Sequence, residues 1–152
     1  MRSTILTALL AAFVLTALPV RAASSNEIPS EQQAIAALEA KADQAKPREQ
    51  CFLYAQVMHR MTKLSMQLYA AGNVTKATWF LKQIQQLSHK VHLSVSQNDK
   101  RLKNAEILLS KTTFRLTEFL HSSDYQDRPL IQQTISDVNR AQNAALMEVF
   151  NK

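Results

Sequence analysis

The sequence predicts an all-α protein: an antiparallel up-down four-helix bundle with a short additional N-terminal helix. Two observations lead to this prediction. The 152 residues include only one Gly and four Pro, so the tight turns of a sheet, which need residues at positive φ, have almost nothing to be built from. Apolar residues recur at spacings of three and four along most of the chain, which is the pattern of amphipathic helices.

The first residues are organised like a secretory signal peptide. Arg2 precedes an apolar run over residues 5–18, and a small-residue exit ends at Ala22. The run is shorter than the roughly 20 residues that cross a bilayer as a helix, so a retained membrane anchor fits less well. We therefore expect residues 1–22 to be removed and the protein to be exported, periplasmic or secreted if the source is bacterial.

Residues 23–47 read as a polar linker followed by a short helix. Ser30 has the position of an N-cap, with Gln33 at capping-box spacing, and the helix runs to about residue 45. Pro47 interrupts it, and Pro is tolerated in the first turn of a new helix.

Residues 48–152 then form the bundle domain. Gly72 is the expected stop of its first helix, and Thr75 and Asp127 are the expected caps of later ones. Similar helix lengths and short links favour up-down-up-down packing. The expected helices span residues 48–71, 75–95 and 99–121, and a last one begins at residue 128. The third has a heptad seam typical of coiled coils, formed by Leu102, Ala105, Leu109, Thr112, Leu116 and Phe119.

Apolar side chains exceed what a four-helix core needs on two of these helices. Residues 48–71 carry two rows outside the core stripe, and residues 99–121 carry Ile107, Phe114 and His121 away from their seam. One interpretation is that the short N-terminal helix covers a row; the other is a self-association face, or a groove for an apolar ligand or partner helix. The two rows are Ala55, Thr62 and Tyr69, and Phe52, His59 and Met66. The predicted interaction face comprises Phe52, His59, Met66, Ile107, Phe114 and Cys51.

Cys51 is the only cysteine, so no intramolecular disulfide is available to an exported chain. The residue is either a small buried apolar side chain or one half of an intermolecular disulfide.

Positive charge is concentrated between residues 76 and 103, where Asp99 is the only acidic residue. Trp79 lies off the apolar stripe there, so Trp79 and its basic neighbours either form a solvated face or bind an anionic surface of lipid or polysaccharide. The modest charge, without several interleaved aromatic residues, argues against nucleic-acid binding. The predicted anionic-surface face comprises Trp79, Lys82, Lys90, Lys100, Arg101 and Lys103.

Catalytic and cofactor motifs are not expected. Nucleophile elbows and phosphate-binding loops need more than one Gly, and c-type haem attachment needs two Cys. His89 and His92 are spaced to share a metal ion, but His59 and His89 point away from their own core stripes, so no bundle-interior site is predicted.

The sequence leaves three hypotheses about function. The first is an exported, non-enzymatic helical protein that acts by contact, through self-association or a protein partner, and has no cofactor. The second is a peripheral binder of anionic envelope lipid or polysaccharide. The third is a periplasmic metal or haem carrier, for which the methionines near His59 are a weak soft-metal signal.

Overall fold

A computed structural model describes residues 27–96 and 99–151 as five helices without a strand. The predicted all-α class is confirmed for this part of the chain, whereas the predicted signal peptide lies outside it. None of the described helices is long and apolar enough to cross a membrane. The helices are α1 (Glu27–Gln44), α2 (Pro47–Ala70), α3 (Val74–Ser94), α4 (Leu102–Ser122) and α5 (Arg128–Phe150).

Two predicted N-caps are wrong, because each hydroxyl lies inside its helix. Ser30 is in the first turn of α1, where its Oγ donates to the carbonyl of Glu27 at 2.9 Å. Thr75 is likewise in the first turn of α3, and the cap is Asn73, whose Oδ1 accepts a backbone N–H of that turn. Helices α1 and α3 therefore begin earlier than the positions of Ser30 and Thr75 predict.

The connections between helices also show where the predicted bounds hold. Gly72 has φ of 82° directly after α2, so it is the predicted stop. Helix α4 begins at Leu102 rather than residue 99, because Arg101 has left-handed φ of 59° and Asp99 accepts the backbone N–H of Ser96. Asp127 is the N-cap residue of α5, as predicted, but its carboxylate accepts from Tyr69 and forms no capping hydrogen bond.

The long helices form two antiparallel hairpins, α2–α3 and α4–α5, which pack side by side. Helix α2 contacts both α3 and α4, and α5 contacts the same two helices, whereas α3 and α4 do not touch. Helices α2 and α4 are parallel, because Lys100 bonds Glu49 at one end and the backbone N–H of Asp124 bonds the Tyr69 hydroxyl at the other. The contacts thus differ from a ring of sequential antiparallel neighbours, since the link after α3 passes the start of α2, where Lys100 N–H donates to the carbonyl of Arg48 at 2.6 Å.

Helix α2 is the centre of the packing, because α1, α3 and α4 all contact it. Its Val57, Met58 and Leu64 side chains have no exposed surface. Helix α1 adds the buried side chains of Ile35 and Ala42 to the same core. This arrangement explains why α2 is apolar over more than one face.

We expect Leu116→Ala to lower the free energy of unfolding by about 2–5 kcal/mol, because it leaves a cavity in a core position with no exposed surface. Leu93→Ala is the matched control: Leu93 is 71% exposed, and the same change there should stay within about 0.5 kcal/mol. Urea denaturation followed by circular dichroism measures both. Equal effects of the two changes would contradict the described core.

Candidate contact surfaces

The predicted interaction face is not one surface. Cys51, at 1% exposed, and Phe52 belong to the core, and His59 and Met66 are half-buried. Only Ile107 and Phe114 remain exposed among its members. In this conformation Cys51 and Phe52 are therefore unavailable to a partner.

Helix α4 covers much of the α2 surface that the sequence left without a neighbour. The Arg101 guanidinium lies 3.8 Å from the ring centroid of Phe52, and the hydroxyl of Thr112 is 3.4 Å from His59 Nδ1. Tyr69 packs edge-on against Phe119, with ring centroids 5.0 Å apart. Both extra rows of α2 thus have contacts from α4, a neighbour that the sequence analysis did not assign to them.

His59 lies among cations on the α2–α4 side of the molecule. Burial lowers the pKa of His59, and the charges of Lys63, Arg115 and Lys111 lower it further. A neutral imidazole is therefore favoured at this position.

The outer face of α4 keeps the clearest apolar row. Ile107 is 40% exposed and Phe114 is 63% exposed, one heptad apart on the side turned away from both α2 and α5. Lys103 and Glu118 flank the row on the same helix. A pair of large exposed apolar side chains at this spacing is what a helix–helix contact requires.

The predicted anionic-surface face is dispersed. Lys90 pairs with Asp43 at 3.6 Å and lies over the Tyr54 ring, and Lys100 pairs with Glu49 at 3.2 Å. As described above, Arg101 is stacked on Phe52. Lys82 and Lys103 stay exposed, but they belong to α3 and α4, which do not contact each other.

Trp79 forms one wall of a cleft between α1, α2 and α3. The cleft has a volume of about 510 Å³. Its lining is Gln32, Ile35, Ala36, Glu39, Met61, Asn73, Thr75, Lys76, Trp79 and Phe80. The sequence pattern places Trp79 off the apolar stripe of its helix, but it does not indicate that α1 forms the other wall of a cleft there.

His89 and His92 lie beside a smaller cavity of about 220 Å³ between α3 and α5, with Asp137 and Arg140. Across residues 27–96 and 99–151, no three His, Cys, Asp or Glu side chains are grouped so that they could hold a metal ion. This finding concerns those four residue types, so the third hypothesis, a metal or haem carrier with methionines near His59, stays a prediction.

Comparison with known proteins identifies no relative of this chain. The chain matches no protein-family model, no curated protein and no solved structure. What the surfaces bind has to be inferred from their own side chains.

We expect the Cys51 thiol to resist a disulfide reagent such as Ellman's reagent in the native protein at neutral pH and to react fully in urea. Burial, assisted by the negative charge of Asp99, raises the pKa of Cys51 from 9.0 to about 12, so the reactive thiolate is scarce. Because the folded pKa is the higher one, this stabilising contribution is complete below about pH 9 and is lost as the pH rises toward 12.

The measurement is absorbance with and without urea, and Cys51→Ala supplies the blank. A native thiol that reacts as fast as the unfolded one, or a dimer that reductant dissolves, would contradict the buried position.

Proposed function

We propose that this chain is an exported helical protein without catalytic activity that acts by contact, and that its first partner is a second copy of itself. Residues 1–22 supply the export signal in this proposal. Helices α2 to α5 form an up-down four-helix bundle to which α1 is added, and the alternating directions of the described helices support that architecture. The single observation that favours contact is the exposed pair Ile107 and Phe114 on α4.

An antiparallel pairing of two α4 helices about a two-fold axis brings the two apolar residues together. With Ile107 of one protomer opposite Phe114 of the other, positions whose numbers sum to 221 lie at the same height across the seam. That register also sets Lys103 opposite Glu118. Each protomer contributes the same patch, as an isologous two-fold contact requires.

The charges favour this orientation over a parallel one. A parallel two-fold pairing would set Lys103 against Lys103 and Glu118 against Glu118, and like charges facing each other are unfavourable. Lys103 forms no ion pair among the described residues, and Glu118 bonds only Arg115 of its own helix, an exposed pair worth little. Pairing across the seam would therefore displace at most the exposed Arg115–Glu118 ion pair.

We expect the protein to associate reversibly in reductant, and Phe114→Ser to weaken the association strongly because the largest apolar contact is lost. Lys103→Glu should also weaken it, since two glutamates then face each other. Combining Lys103→Glu with Glu118→Lys should restore it, because the opposite charges meet again with exchanged signs.

Sedimentation velocity over a range of protein concentrations measures each variant. Met147→Ser, which changes an exposed residue on α5, is the matched control for Phe114→Ser and should leave association unchanged. A wild-type protein that stays monomeric at every concentration would refute self-association. A double charge variant as weak as the single one would refute the register.

A second candidate function is peripheral contact with an anionic surface, and it is favoured by one observation: Trp79 is 52% exposed, one turn from the exposed Lys82. An indole beside an ammonium suits the interface of an anionic lipid layer. The face is smaller than the sequence suggested, because Lys90, Lys100 and Arg101 are engaged elsewhere.

We expect binding to phosphatidylglycerol vesicles to fall with Trp79→Ala, with Lys82→Gln and with added salt, which screens exposed charges. Lys103→Gln is the matched control, because it removes the same charge from a helix that does not contact α3. Co-sedimentation with vesicles measures all four conditions. Binding that is insensitive to salt and to both α3 variants would exclude this function.

A further inference from the structure

The cleft beside Trp79 lies between α1 and α3, which are bridged by long side chains. The backbones of α1 and α3 do not come into contact. At one end Lys76 Nζ donates to Gln32 Oε1 at 2.8 Å, and at the other end Lys90 Nζ lies 3.6 Å from Asp43 Oδ1. Eleven residues of α1 separate the two bridges, which is roughly 16 Å of helix.

The interior of the cleft is apolar. Ile35, Met61 and Phe80 are buried beneath it, so its accessible apolar surface belongs mainly to Trp79 and Ala36. The Trp79 ring is edge-on to Phe80, with the centroids 4.9 Å apart. A volume of about 510 Å³ falls within the range of small-molecule pockets. The cleft is therefore large enough for one alkyl chain and has the surface that such a chain would bury.

The charge at the cleft is asymmetric along its length. Lys76 forms no ion pair among the described residues, and the acceptor it does have is the neutral amide of Gln32. The carboxylates lie further along α1, at Glu39 and at Asp43, which is already paired with Lys90. A carboxylate would be a stronger acceptor for the Lys76 ammonium than the amide is.

We propose that this cleft binds a single-chain carboxylate amphiphile, a free fatty acid. The alkyl chain lies against Trp79 and Ala36, above the buried floor of the cleft, and the carboxylate displaces Gln32 as the acceptor of Lys76. Its carboxylate end is oriented toward Lys76 because Glu39 lines the other end of the cleft. The site is independent of the α4 contact and would remain if self-association failed.

Trp79 is the only tryptophan, so its fluorescence reports on the cleft directly. We expect octanoate at neutral pH to shift the Trp79 emission to shorter wavelength along a saturable curve. Octan-1-ol has the same chain without the charge and should bind about three- to tenfold more weakly, since Lys76 is exposed and its charge is partly screened. Octylammonium should be the weakest of the three.

Matched variants separate the chain contact from the charge contact. Ala36→Phe fills the cleft and should weaken octanoate binding by about tenfold or more. Ala37→Phe adds the same ring to the neighbouring exposed residue of α1, which does not line the cleft, and should change nothing.

The charge contact is tested in the same way. Lys76→Gln should bring octanoate down to the affinity of octan-1-ol. Gln32→Ala removes the same bridge but keeps the ammonium, and should bind octanoate at least as well as the wild type.

Three results would overturn the proposal. One is octanoate binding that Ala36→Phe and Ala37→Phe reduce equally. Another is a Trp79 shift that responds to phosphatidylglycerol vesicles but not to monomeric octanoate, which would assign the indole to a membrane surface instead. The third is a shift that depends on protein concentration alone, which would seat a second copy of the chain in the cleft.

Discussion

The packing of three helices on α2 is the constraint on which the rest of the structure depends. Val57, Met58 and Leu64 have no exposed surface because α1, α3 and α4 together surround this helix. A helix with neighbours on three sides must be apolar over most of its circumference. The broad apolar surface of α2 is therefore buried within a single chain. Without a third neighbour, part of it would be exposed and would resemble a docking face.

The two hairpins are joined by polar contacts at their ends as well as by the core between them. At one end the Tyr69 hydroxyl donates to the Asp127 carboxylate and accepts the backbone N–H of Asp124, so α2 is bonded to the α4–α5 turn. At the other end the backbone of Lys100 bonds that of Arg48, beside the stack of Arg101 on Phe52. Both ends of α2 are thereby fixed to the second hairpin. Hydrogen bonds of this kind give the pairing a defined register, which apolar packing alone leaves loose.

The helices were predictable from sequence because their signals are local: Gly72 at its positive φ ends one helix, and the heptad seam of α4 is buried throughout. The neighbours of each helix were not predictable, because periodicity indicates how wide an apolar face is but not which helix covers it. For that reason the sequence pattern places Cys51 and Phe52 on the predicted interaction face, although both are buried. Trp79 was recognised as unusual, but its cleft depends on α1, which is distant in sequence from α3.

Helix α1 contributes fewer buried residues to the core than any of the other four helices. Its backbone comes close to that of α2 alone, and it contributes two buried side chains, Ile35 and Ala42. Its side chains form further bonds such as Glu31 to Arg60 on α2 and Gln32 to Lys76 on α3. Because α1 has fewer buried residues than any other described helix, we expect its local opening to cost less free energy than that of the two hairpins. Opening of α1 would therefore widen the space in front of the indole while the two hairpins stay assembled.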